Sequence, residues 1–391
     1  MTATTPLPLA RTCPFAPVPE HVRLRQEEPV ARVTLPSGSQ VWAITRHEDV
    51  RAMLASPHFS ANRTRPGIPH MSVAQTHSAP GTPLITVDGA EHLRQRRDVT
   101  GEFTLKRITG LEVRLQQIVD DRIDALLAGP RPADFVETLA LPVPSLAICE
   151  LLGVPYAEHD FFQERTGEML RRTATREEQG TAMTELITYL DELMARKERE
   201  PGDDLLTRLL DRTGDRKTSA GFGVLLLVAG HETTANMISL GTMMLLENPE
   251  SLQALREDPA KTPGAVEEML RYFTVGEYAV VRVAVEDTEI GGTVIRAGEG
   301  AIALCNTANR DPDAFDAPNQ FDITRDARAH LGFGYGPRSC PGQNLARAEL
   351  RIVFDTLLRR VPGLRLAQPV DNLSFKEDGV VYGLHELPVT W

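Results

Sequence analysis

The stretch from Ser219 to Leu246 is the most apolar in the chain, and it constrains the fold more than any other feature. A helix on the surface of a globular protein carries a polar face, so a segment apolar all round must be wrapped by other elements. The interruption Ala229-Gly230-His231-Glu232-Thr233-Thr234 leaves uncharged halves too short to span a bilayer. The expectation is therefore a long buried helix, running from Leu225 to Leu246, inside a helix-rich body. An acid, two alcohols and a Gly in such a helix cost stability, and something should compensate. Thr233 can bond the carbonyl of Ala229, loosening the helix and opening a small polar notch. A satisfied polar pair in a helix core is the plainer account of the same residues. A zinc-protease motif does not fit, because the position four after His231 is Ala235.

Around that helix, residues 91–361 read as mainly helical, with charged breaks at 173–180 and 211–217. Alternation from Val30 to Ile44 about Pro36-Ser37-Gly38 predicts a hairpin, and Val280 to Ile295 predicts a meander of short strands after a helix from Pro263 to Tyr272. Residues 64–83 form a long aperiodic loop, a length usually kept for function. No repeat or linker divides the chain, so a single domain over 1–391, mainly α with small β-sheets, is expected. A net charge of -12 argues against nucleic acid or an anionic membrane as partner. The first fifteen residues lack the apolar core of an export signal, and four scattered cysteines suit free thiols in a reducing compartment, so a cytoplasmic location is expected.

The second informative stretch is Gly-Phe-Gly-Tyr-Gly-Pro-Arg-Ser-Cys-Pro-Gly over 332–342, followed at once by a helical pattern with Ala346, Leu350, Val353, Phe354 and Leu357 on one face. Cys340 is thereby placed at a helix start, where free amides and the helix dipole should ease ionisation of its thiol. The glycines allow backbone to approach something flat, and Arg338 can offer a cation to a carboxylate.

The run Phe333-Gly334-x-Gly336-x-Arg338-x-Cys340-x-Gly342 resembles the haem-binding loop of the cytochrome P450 family. Three further motifs match in the family's order: the helix with His92 and Arg96 one turn apart, the Ala229 to Thr234 hexapeptide, and the pair Glu268 and Arg271. Arg338 stands where soluble bacterial members more often carry His, and either residue can bind a haem propionate.

The resemblance implies the cytochrome P450 fold, with haem b between the long distal helix and the proximal loop of Cys340. It implies Cys340 as axial iron ligand, and His92, Arg96, Arg282, His330 and Arg338 as propionate contacts. Phe333, Gly334 and Gly342 would form the loop, Ala229 and Gly230 would lie over the haem, and Glu268 with Arg271 would be structural. Glu232 and Thr233 would relay protons to dioxygen, which needs them before its O–O bond cleaves. The implied activity is insertion of one oxygen atom into a small organic substrate, by hydroxylation or epoxidation of a natural product or foreign compound. Ala229, Tyr278 and Val280 are pocket candidates by the same analogy, with Glu277 and Tyr278 expected to be exposed turn residues. Electrons from NAD(P)H would come through a ferredoxin and its reductase, and a monomer is expected. A peroxide-using relative and a haem protein that senses without turnover are the alternatives, and the retained acid-alcohol pair favours the oxygenase.

Overall fold

In a computed structural model of the protein, residues 5–71, 82–170, 175–376 and 381–391 are described. The N-terminal part alternates strands and helices: β1 (Thr5–Pro6), α1 (Pro19–Glu27), β2 (Val30–Thr34), β3 (Gln40–Ile44), α2 (His47–Ala55) and β4 (Phe59–Ser60). Helices then dominate, as α3 (Gly89–Thr100), α4 (Leu105–Ala128), α5 (Pro142–Leu152), α6 (His159–Leu170), α7 (Arg176–Arg199) and α8 (Leu205–Thr213), with β5 (Ala133–Asp134) between α4 and α5. They continue through α9 (Arg216–Glu247), α10 (Pro249–Glu257) and α11 (Thr262–Phe273). After them come β6 (Val281–Ala284), β7 (Thr288–Ile290), β8 (Thr293–Ile295), β9 (Gly300–Ala303), α12 (Cys305–Ala308), α13 (Gln343–Arg360), β10 (Arg365–Leu366) and β11 (Pro388–Thr390).

The apolar stretch lies in α9, whose 32 residues extend about 48 Å. Asp215 caps its start by accepting from the amides of Lys217 and Thr218. From Thr234 to Leu245 every residue is buried, and the helix as a whole packs against α5, α7, α8 and α13. At Gly241 α11 and α13 both come close: a Cβ there would stand 2.6 Å from the Phe354 ring and 2.8 Å from the Met269 sulfur. The expected face of α13 faces the same core, with Leu350, Val353, Phe354 and Leu357 buried.

The hairpin of β2 and β3 pairs Val30 with Ile44 and Val33 with Val41. It belongs to a six-stranded sheet of order β1-β2-β3-β9-β6-β4. The expected meander is instead split between two sheets. β6 pairs with β9 and β4, whereas β7 and β8 make their own hairpin. The reason is local: Gly291 and Gly292 take φ of 55° and 76°, which the tight two-residue turn between β7 and β8 requires. The break before α7 is also shorter than the charge pattern suggests, because Thr175 and Glu178 form a reciprocal capping box that starts the helix at Arg176. Of the aperiodic loop, residues 72–81 lie outside the described residues. Among the described residues no helix is long and apolar enough to cross a membrane.

Candidate active site

The Cys340 loop is shaped by two glycines in left-handed conformation, Gly334 at φ 69° and Gly336 at φ 72°. Gly336 also lies close to the end of α2, where an added Cβ would meet the Leu54 carbonyl oxygen at 3.1 Å. The amide of Cys340 donates back to the carbonyl of Phe333 at 2.8 Å, closing the loop just before α13 begins. Gly342 precedes α13 with room beside it, since a Cβ there would be 3.9 Å from both Cys340 Sγ and the Phe103 ring. Phe333 is half-buried under the guanidinium of Arg347, 4.7 Å from its ring centre.

The expected ease of ionisation at Cys340 is reversed. Burial holds the thiol above its ordinary value, and the Gly342 amide, Arg96 and Arg347 only oppose it in part. A cation in contact with the sulfur would favour its thiolate, as it does for a metal ligand. Of the other cysteines, burial pushes Cys305 up to about 12 and raises Cys149 further, and Cys13 is exposed.

Near this loop the chain gathers guanidinium groups. Arg338 donates to the carbonyls of Leu84 at 3.0 Å and Val87 at 2.5 Å, and pairs with Asp88 at 2.8 Å. Arg96 on α3 reaches Ser339 Oγ at 3.2 Å. Arg282 on β6 donates to the carbonyl of Val281, and Arg63, absent from the sequence expectations, donates to that of Ala279 at 2.7 Å. Burial, reinforced by Arg338 and Arg63, pulls Arg282 down to about 10. Burial together with Arg338, Arg96 and Arg282 holds His92 neutral, down to about 4. Among the described residues only Arg338 of these four pairs with a carboxylate, Asp88, whose charge Arg282 also feels and which accepts from Arg65, Ser60 and the Ala61 amide as well. That excess of buried positive charge fits a bound group with two carboxylates, as haem has in its propionates.

His330 departs from its expected role. Its Nδ1 accepts from the Gly332 amide and its Nε2 meets Glu267 Oε2 at 3.1 Å, so both ring nitrogens are used. Arg347 takes the same carboxylate with two nitrogens, at 2.5 and 3.0 Å. Burial works against this carboxylate, yet hydrogen bonds from His330 and Arg347 hold Glu267 down to about 2. The result is a clasp joining α11, the loop and α13, and it leaves His330 no free N–H for a propionate.

Glu268 and Arg271, expected to be structural, form a closed pair within the core. They are fully buried and bidentate at 2.7 and 2.8 Å. Arg271 also donates to the carbonyls of Asn309 and Pro318, and Glu268 accepts from Arg325 and the Asp322 amide.

On α9 the Thr233 hydroxyl donates to the carbonyl of Ala229 at 2.8 Å, as the sequence suggested. Ala229 is exposed in mid-helix, with Val228 beside it, although the rest of the helix is largely covered. Gly230 is in ordinary contact with Ile148. His231 is buried, its Nε2 tied to the carbonyl of Leu141 at 3.0 Å. Glu232 is half-buried and accepts from Lys376 Nζ at 3.2 Å.

Tyr278 is not a pocket residue. It is 2% exposed, packed in the N-terminal core with its hydroxyl aimed at the Leu9 carbonyl. Nor is Glu277 an exposed turn residue, since it forms a buried pair with Arg11 at 2.9 Å. Val280 remains half-buried. An open depression lined by Glu158, Phe161 and Tyr189 lies on other elements and contains no thiol.

A helix-dominated body carrying a half-buried cysteine on a glycine-turned loop, a gathering of arginines and an acid-alcohol pair on a core helix defines a haem-thiolate class of protein. The Cytochrome P450 family model matches residues 173–371, and the chain belongs to the cytochrome P450 family. It is 45% identical to cytochrome P450-SU2 of Streptomyces griseolus, over 99% of this chain and 97% of that one. It is 42% identical to the 20-oxo-5-O-mycaminosyltylactone 23-monooxygenase of Streptomyces fradiae, over 98% and 92% of the two chains. The crystal structure of cytochrome P450 MoxA from Nonomuraea recticatena superposes with a TM-score of 0.96 at 51% identity, covering 100% of this chain and 99% of that one. The protein is accordingly a haem-dependent monooxygenase using dioxygen and NAD(P)H-derived electrons from redox partners on small organic molecules. The relatives' names favour this activity over the peroxide-using and sensing alternatives.

Proposed function

We propose that Cys340 holds the haem iron as a thiolate and that His92, Arg96, Arg282 and Arg338, joined by Arg63, surround the propionates. The observation that carries this reading is the gathering of Arg338, Arg96, Arg282 and Arg63, of which only Arg338 is paired with a carboxylate among the described residues, beside a thiol whose ionisation burial opposes. When bound, haem supplies the chemistry that activates dioxygen. The chain's own residues orient, shield and deliver protons. Phe333, Gly334 and Gly342 would hold the loop against the bound group, and Ala229 and Gly230 would offer it a small-residue surface. The Thr233 hydroxyl spends its proton on the Ala229 carbonyl, so its lone pairs are free to accept from a water. Glu232, half-buried in the middle of α9, carries protons inward from solvent.

The substrate is a natural product or foreign compound, with Ala229 and Val280 against it. Electrons reach the site from a ferredoxin and its reductase, and the chain works as one domain over 1–391, in the cytoplasm and as a monomer. Whole-length likeness to bacterial members supports that setting. The ligand assignment is tested by the spectrum of the reduced protein with carbon monoxide. Cys340→Ala should lose the red-shifted thiolate band and Cys305→Ala should keep it; the reverse pattern would remove Cys340 from the iron. A screen for shifts of the Soret band then identifies the substrate.

A further inference from the structure

We propose that Lys376 is a positioning residue for the proton relay, holding the Glu232 side chain by one carboxylate oxygen so that the other stays available for proton transfer. The inference rests on the relay reading of Glu232 and Thr233. Lys376 is 144 positions from Glu232 and on a different element, so its approach is a product of the fold.

Three observations place it there. Its segment is one arm of a C-terminal hairpin: Phe375 bridges Leu384, the Lys376 amide donates to the Gly383 carbonyl at 2.8 Å, and the His385 amide to Ser374 at 2.9 Å. The opposite arm is set directly on α9. A Cβ at Gly383 would fall 1.9 Å from Asn236 Oδ1, so only glycine admits this contact, one helical turn beyond Glu232. With the backbone so fixed, Lys376 Nζ stands 3.2 Å from Glu232 Oε1, the side chains being 15% and 27% exposed. Among the described residues Glu232 Oε2 has no hydrogen-bond partner.

An ion pair this open to solvent adds little to stability. What it supplies is order. Glu has three rotatable bonds, and an untethered carboxylate samples positions from which it cannot hand a proton inward. Anchoring one oxygen narrows that set, which is the geometric contribution that preorganised sites make. Lys376 also marks the solvent end of the path, its ammonium ready to exchange protons with water. Neighbouring His231 does not compete for the carboxylate, since its Nε2 is committed to the Leu141 carbonyl.

Two measurements on the haem-loaded protein test this. In trace labelling with acetic anhydride read by peptide mass spectrometry, Lys376 should react about threefold faster in Glu232→Gln than in the unaltered protein, because the pair no longer shields the amine. In substrate-free oxidation of NAD(P)H with a surrogate ferredoxin and reductase, the share of electrons appearing as peroxide and the solvent deuterium isotope effect are followed. Lys376→Met should raise the peroxide share about threefold, towards the Glu232→Gln level, and Lys376→Arg should restore it. Equal labelling rates, or a Lys376→Met protein that partitions electrons normally while Glu232→Gln does not, would overturn the positioning role and leave the relay standing. A Glu232→Gln protein with unchanged partition and isotope effect would overturn the relay, and the role of Lys376 with it.

Discussion

Thr233 shows how a single hydroxyl can be spent and still useful. Bonded to Ala229, it cannot donate elsewhere without breaking a local hydrogen bond, but it can accept and pass a proton when that bond exchanges. Thr233→Ala should therefore bind haem and substrate as before, yet yield about tenfold less product per NAD(P)H consumed, the balance leaving as peroxide. The ratio of product to NAD(P)H is the measurement, and an unchanged ratio removes Thr233 from the relay. Its contact was legible in the sequence because an i to i-4 bond is set by helix geometry alone. The partner of Glu232 was not, since nothing local to residue 232 specifies Lys376.

Between elements, the clasp of Glu267, His330 and Arg347 binds α11 and α13 to the loop. Glu267 is held at about 2 in the folded chain against an ordinary 4.5. A depressed carboxylate stabilises the fold fully above its unfolded value and loses that contribution as pH falls through the folded one, here between about 4.5 and 2. Glu267→Gln should be less stable than the unaltered protein at neutral pH and converge with it as pH drops through that window, read by thermal melts across pH. A constant difference would deny the clasp its charge. The sequence presented Glu267 only as the neighbour of Glu268. Spacing pairs Glu268 with Arg271 on one helix face, whereas the partners of Glu267 come from two other segments.

In sequence, Arg94 and Arg97 on α3, Arg347 and Arg351 on α13 and Arg338 in the loop before it suggest a basic patch for an acidic electron donor. In the fold most of that charge is already answered: Arg338 by Asp88, Arg347 by Glu267, Arg351 by Glu112 at 2.8 Å, and Arg94 by Glu91 and Asp98. Among the described residues Arg97 is exposed without such a partner. Reduction by ferredoxin should slow as salt rises, because steering is screened over about 8 Å at physiological ionic strength. Arg97→Glu should slow it more than Arg351→Glu does. Stopped-flow rates indifferent to salt and to Arg97→Glu would exclude charge steering at this surface.

At the scale of the whole molecule, what the sequence disclosed was what short-range pattern encodes. The buried α9, the hairpin of β2 and β3, the Cys340 loop and the Glu268 pair each follow from periodicity or turn chemistry within a few dozen residues. Family likeness carried the site further, but it placed Tyr278 towards the pocket and His330 towards a propionate. Both errors share a cause: a partner far away in sequence, Leu9 for the first and Glu267 for the second, claims the polar atom.

The buried pair of Arg11 and Glu277 has a consequence for how the chain can be trimmed. Arg11 also stacks 3.6 Å over the Tyr382 ring, while Tyr382 donates to Pro14 and Arg310 to Phe15. The leading segment is thus a keystone between the stretch that follows α11, through Glu277 and Arg310, and the C-terminal hairpin, through Tyr382. A shortened protein lacking residues 1–17 would leave the Glu277 carboxylate buried without its cation, a change that costs about 3 kcal/mol. Denaturant titration should show that loss, and limited proteolysis should find residues 7–15 among the last to be cut, unlike an ordinary leading segment.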